Sequence, residues 1–234
     1  MRPAFARMPI RWIVEDRRLA RLRWSAVGGS GTAALTLYIA LLIAHNRKRL
    51  DAPDDRTEQV RLTYDAIEAR TRISRAKVAS ALRILESELE VVQIERSRAG
   101  NAFTIVGIDD RPFAQLPQEK LYSPKLQQLR GLSDFTLRSK FELGALKLYL
   151  TILALRNAKT GATSVGYDKL MGYTGVRRAD IHRCISHLIN LELVALGSAV
   201  DTSDSSSGHP HNVYIPHGLG RATAAPPATD GLAD

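Results

Sequence analysis

The chain has 234 residues, 44% of them hydrophobic, and carries 33 Lys and Arg against 24 Asp and Glu, a net charge of +9. Such a length suits one large domain or two small ones, and the ordinary apolar content excludes wholesale disorder. The single cysteine, Cys184, excludes an intrachain disulfide and a cysteine-rich zinc site, so a staple-dependent secreted fold is not expected and a reducing cytoplasm is.

Residues 1–24 read as a basic amphipathic arm. Seven arginines and two acids fall in residues 1–23, interleaved with Ile10, Trp12, Ile13, Leu19 and Leu22. Three uses fit that pattern: wrapping DNA, docking on a partner or twofold mate, or packing on its own domain. No apolar core for a signal peptide is present among these arginines.

A first module is expected over residues 25–110. Residues 26–44 carry no charge, and Arg47-Lys48-Arg49 follow them. The glycines of Gly28-Gly29-Ser30-Gly31 are expected to break that stretch, leaving residues 33–44 as a buried core helix rather than a membrane span. Leu35, Tyr38, Ile39, Leu42 and Ile43 give it an apolar face. A short helix follows at residues 64–71, then a tight connection at Arg72-Ile73, with Ser74 as N-cap of a helix beginning at Arg75. Val78, Leu82, Leu85 and Leu89 form its inner stripe. Strands are expected at 91–95 and 102–106, joined by a six-residue loop, 96–101, carrying Arg96 and Arg98.

Residues 111–143 hold six basic and three acidic residues with Pro112, Pro117 and Pro124, and read as an extended basic linker with a short helix at 125–130. Residues 144–217 then repeat the first module. Ala34-Leu-Thr-Leu-Tyr38 matches Ala145-Leu-Lys-Leu-Tyr149, Tyr64-Asp65 matches Tyr167-Asp168, and Val78, Leu82 and Leu85 match Ile181, Ile185 and Leu188. The second hairpin loop, 198–211, is long and serine-rich, and residues 218–234 read as a disordered tail.

The run from Tyr64 to Leu85, followed by Val91-Val92 and Gly100-Asn101, resembles a bacterial winged helix-turn-helix DNA-binding domain. The second copy is similar but less typical. Tandem winged helices of this size also resemble plasmid and phage replication initiators. The resemblance implies an α+β, mainly α fold of two winged helix-turn-helix modules from an internal duplication.

Physical chemistry points the same way. A helix of about 13 residues fits the major groove, where base edges carry a distinct donor and acceptor code. Arg75, Lys77, Ser80 and Arg83 lie off the core side of the first such helix. Arg70 and Arg72 flank the turn and suit phosphates, and Arg96 and Arg98 suit a backbone or minor groove. The second copy offers Arg177, Arg178 and Arg183, but Asp180 stands where the first has Lys77.

Other chemistries fit less well. Gly29-Ser30-Gly31 resembles a dinucleotide fingerprint opening a helix, yet the chain continues into a loop rather than a parallel strand. His182, Cys184 and His187 do not share one helical face, and His209 and His211 sit in the expected loop, so no metal and no cofactor are expected. No catalytic arrangement stands out. The expectation is a double-stranded DNA-binding protein, first a transcriptional regulator repressing by occupancy, second a replication initiator on iterated repeats, third a protein-interaction scaffold. Duplex DNA is the expected partner, a homodimer a further one, and a membrane is not.

Overall fold

The computed structural model describes residues 5–52, 59–97, 100–197 and 212–219, which form an α+β, mainly helical fold. The N-terminal segment supplies strand β1 (Phe5–Pro9), the short helix α1 (Arg11–Val14), a 3-10 turn (Arg18–Arg21) and the short helix α2 (Trp24–Val27). The first half continues with α3 (Gly29–Asp51), β2 (Gln59–Leu62), α4 (Tyr64–Thr71), α5 (Arg75–Arg83), β3 (Val92–Ser97) and β4 (Gly100–Ile105). The second half begins with β5 (Phe113–Pro117), α6 (Gln118–Leu121) and a 3-10 turn (Arg130–Leu132). It ends with α7 (Lys140–Ala154), β6 (Thr163–Val165), α8 (Tyr167–Thr174), α9 (Arg178–Asn190), β7 (Val194–Gly197) and β8 (Asn212–Pro216). Each half closes on a three-stranded sheet with its last strand central, β2-β4-β3 and β6-β8-β7.

The two halves repeat one another in backbone detail. Thr71 and Thr174 each donate to the carbonyl four residues back, at 2.7 and 2.6 Å, and each accepts from the amide two residues on, at 3.2 Å. The helix-ending residues Arg72 and Gly175 both adopt the left-handed conformation, with φ of 59° and 64°. Glu90 and Glu192 do the same before the first hairpin strand, at 51° and 52°.

The expected arm and linker belong to this repeat. Phe5-Ala6-Arg7-Met8-Pro9 of β1 and Phe113-Ala114-Gln115-Leu116-Pro117 of β5 are versions of one sequence and pair antiparallel. Their register is self-complementary: Phe5 faces Pro117, Arg7 faces Gln115 and Pro9 faces Phe113. That is the pattern of a twofold interface, made within one chain. The following segments are exchanged. Leu19 and Leu22 are buried with the turn 18–21 lying against α8, where Gly175 abuts Ala20. Reciprocally, the Leu129 amide donates to the carbonyl of Arg70 at the end of α4 (2.8 Å). Asn46 of α3 fastens both strands' ends by donating to Phe5 (3.2 Å) and Gln118 (2.8 Å).

Four expectations need correction. Residues 5–22 are not a detached arm but take the last of the three uses, with Ala6, Met8, Trp12, Ile13, Leu19 and Leu22 all buried in the chain's own core. The segment 111–143 is not an extended linker: β5 and its turns pack against the first half, and in place of a helix at 125–130 residues 124–127 form a turn closed by a bridge between Ser123 and Gln128, with the 3-10 turn starting at Arg130. The glycine run does break the uncharged stretch, at Gly28 between α2 and α3, but the core helix begins at Gly29 and not at Ala33, with Gly29 and Gly31 in its first turn. A β-carbon at Gly29 would lie 2.0 Å from the carbonyl oxygen of Leu137, so the absence of a side chain lets α3 approach the entry to α7. Finally, each half carries an extra strand before its second helix, β2 and β6, whose short Gln59-Val60-Arg61-Leu62 alternation buries Val60 and Leu62. No helix among the described residues is long and apolar enough to cross a membrane. The tail beyond residue 219 and the loop 198–211, with His209 and His211, lie outside the described residues.

Candidate nucleic-acid interface

Helix α5 begins at Arg75, as the pattern requires. Ser74 stands at its N-cap with extended backbone, but its hydroxyl makes no capping hydrogen bond. Val78, Ala81 and Leu82 face the core, and the helix passes through a π-helical turn (Ile84–Glu88) that buries Ile84 and Leu85. The outward stripe is Arg75, Ala76, Ala79, Ser80 and Arg83. The two alanines were not singled out from sequence; alanine on the solvent face of a helix between arginines is the signal. They leave the backbone free to approach a flat surface closely.

Helix α9 presents Arg178, Ala179, His182, Arg183 and Ser186 from the equivalent stripe. The first two positions match the first copy. The later Ser80 and Arg83 become Arg183 and Ser186, so the same groups appear in reverse order.

Several candidate cations are held by carboxylates. Arg75 pairs with Asp65 and approaches Glu68 at 3.9 Å, and hydrogen bonding to Asp65 raises its already high pKa. Arg178 makes the equivalent pair with Asp168 at 2.7 Å and lies over the ring of Tyr167. Both pairs are exposed, where water competes with the partner and exchange for a phosphate costs little. They orient the first outward arginine of each helix in the same way. Arg183 stacks on Phe141 with its guanidinium 3.9 Å from the ring centre, and Arg83 is exposed without a partner among the described residues.

Lys77 and its counterpart Asp180 each meet a residue at the start of a long helix. Lys77 is half-buried, its ammonium 3.4 Å from the hydroxyl of Ser30 at the start of α3. Asp180 accepts from Lys140 at the start of α7 (3.1 Å) and from Arg177 (2.9 Å). Burial raises its pKa, but hydrogen bonds from Arg177 and Lys140 outweigh that and hold it below the usual range. Both positions thus tie the outward helix to the long helix behind it. Arg177 is exposed but engaged with Asp180.

The first hairpin is tighter than expected. Strands β3 and β4 continue to Ser97 and Gly100, which pair directly, so Arg96 lies in the ladder and not in a loop. Its guanidinium turns back onto Glu86, with contacts of 2.6 and 3.3 Å, and those hydrogen bonds hold the Glu86 carboxyl below its ordinary pKa. Ser80 donates to the carbonyl of Ala76 at 3.3 Å. Arg98 lies outside the described residues.

Arg70 and Arg72 are brought together at the end of α4, and the segment before α7 places Arg130 beside them. Arg130 escaped the sequence reading because only the docking of residues 126–133 on the first half brings it there. Among the described residues no group of three or more His, Cys, Asp or Glu is placed to hold a metal ion. No family model, curated protein or solved structure significantly matches the chain.

Proposed function

We propose that the chain is a sequence-specific double-stranded DNA-binding protein of two winged helix-turn-helix modules, acting as a transcriptional regulator that represses by occupying its site. The observation that carries this reading is the pair α5 and α9. Each is held from behind by a long helix, and each turns outward an arginine and an alanine at the same two positions. Arginine on such a face bridges the O6 and N7 of guanine, and alanine makes room for a thymine methyl. The reversed order of Ser80 and Arg83 against Arg183 and Ser186 implies two unequal half-sites. The self-complementary β1–β5 pairing and the exchanged turns imply inverted half-sites, as a twofold dimer would read, without requiring a second chain.

The test is selection of duplexes from a randomised pool, followed by fluorescence anisotropy on the enriched and a scrambled duplex. A preference of about a thousandfold supports the reading. Arg75→Ala and Arg178→Ala should then relax preference in different half-sites. Enrichment of nothing, or equal affinity for both duplexes, overturns it. If the enriched site maps to iterated repeats beside an AT-rich stretch and not to a promoter, initiation replaces repression as the role.

A further inference from the structure

We propose that Arg70, Arg72 and Arg130 form a phosphate-binding cleft that grips the DNA backbone beside the groove entered by α5; the inference rests on the DNA-binding reading above. The cleft has a volume of about 270 Å³ and lies between the end of α4 and the segment 126–133, with Leu126, Gln128 and Ser133 completing its wall.

Its construction is specific. The hydrogen bond from the Leu129 amide to the Arg70 carbonyl (2.8 Å) joins the two walls. Leu129 and Leu132 anchor the segment in the core while Arg130 between them stays exposed. Gly131 packs so closely that a β-carbon there would lie 2.8 Å from the carbonyl oxygen of Lys120. The backbone at Arg130 is therefore held by its neighbours on both sides.

Among the described residues, no carboxylate lines the cleft. Arg130 also borders a second cleft containing Glu119, Asp134 and Glu192, yet it pairs with none of them. None of the three guanidinium groups has an ion pair or a side-chain hydrogen bond among the described residues, whereas Arg75, Arg96, Arg177 and Arg178 each have a carboxylate. Three arginines lining one cleft, with no carboxylate among its described residues, repel one another, and an oxyanion relieves that repulsion. The planar fork of each guanidinium matches two phosphate oxygens at once.

Arg72 adds a separate argument. It holds a φ of 59° where its counterpart, Gly175, holds 64°. Glycine adopts that conformation freely and arginine at a cost. The sister copy shows that the turn itself needs no side chain at this position, which leaves the Arg72 guanidinium available to an anion. It stands three residues before Arg75, so a phosphate held there belongs to the strand flanking the groove.

The experiment compares wild type, Arg130→Ala and Arg130→Lys on the enriched and scrambled duplexes across roughly 50 to 200 mM salt. Arg130 is exposed, so the melting temperature serves as a folding control and should not change. The expected result for Arg130→Ala is a loss of affinity by the same factor on both duplexes, with the slope of log K against log salt reduced by about one. Arg130→Lys should restore most of the slope. An unchanged slope with binding intact overturns the cleft while leaving the DNA reading standing. If wild type binds no duplex, that reading fails, and pyrophosphate titrated in a thermal-shift assay decides the cleft. Stabilisation of wild type but not of Arg130→Ala keeps it as a site for a small phosphate. No stabilisation removes it.

Discussion

Lys147 is the most informative residue to perturb for stability. It lies on α7, is only 3% exposed, and donates to the carbonyl of Leu22 at 2.8 Å. Burial pushes its ammonium down to about 8 from an ordinary 10.5. At about 1.4 kcal/mol per pH unit, that interval corresponds to about 3 kcal/mol. The unfolded chain binds this proton more tightly than the folded one. Stability contributed through Lys147 therefore rises between pH 8 and 10.5, and below pH 8 the folded protein carries the full penalty. Cys184 on the facing helix acts oppositely, because burial pushes its thiol up to about 12 from 9.0 and favours the folded state most below pH 9. The wild-type profile mixes the two, and only the difference against Lys147→Met isolates the lysine. Chemical denaturation of both proteins should give the variant a relative advantage at pH 7 that shrinks by about 3 kcal/mol by about pH 11. A difference that stays flat across that range would refute the assignment of a buried, destabilised charge.

Other substitutions test the packing and the site. Arg72→Gly removes left-handed strain and should raise stability by about 1 kcal/mol while weakening duplex binding, which thermal melts and anisotropy would separate. Improved binding would count against the cleft. Gly144→Ala places a β-carbon 2.6 Å from the sulfur of Cys184 and should cost about 1 to 3 kcal/mol, most of it recovered by adding Cys184→Ala. Additive effects in denaturation would show that these two positions do not meet. Gly29→Ala, aimed at the Leu137 carbonyl, should destabilise by about 3 kcal/mol without changing the salt slope of DNA binding, since it loosens the packing between the halves and touches no phosphate.

Helix periodicity was legible because it depends only on neighbours along the chain. Residues 178–190 could be placed from apolar spacing, since a helix must bury one stripe, and the start at Arg75 from that spacing together with Ser74 before it. The repeat from Tyr64 onward was legible for the same reason: two copies that bury equivalent faces keep equivalent apolar positions. Missed were the Phe-Ala-x-apolar-Pro copies at residues 5 and 113, although the signal lay in the sequence. Five residues of β-strand make no pattern until their partner strand, more than a hundred residues away, is known.

The sequence by itself thus determined the mainly helical class, the duplication, the outward arginines of two equivalent helices and the excess of positive charge. Only the tertiary structure decided which of those charges are free. Whether an arginine meets a carboxylate depends on contacts between elements, as with Arg96 on Glu86 and Asp180 between Lys140 and Arg177. The same holds for the exchange of the two segments that the sequence presents as an arm and a linker. Their burial places Leu22 over Lys147 and Arg130 beside Arg72, and no local propensity encodes a meeting of residues so far apart in the chain.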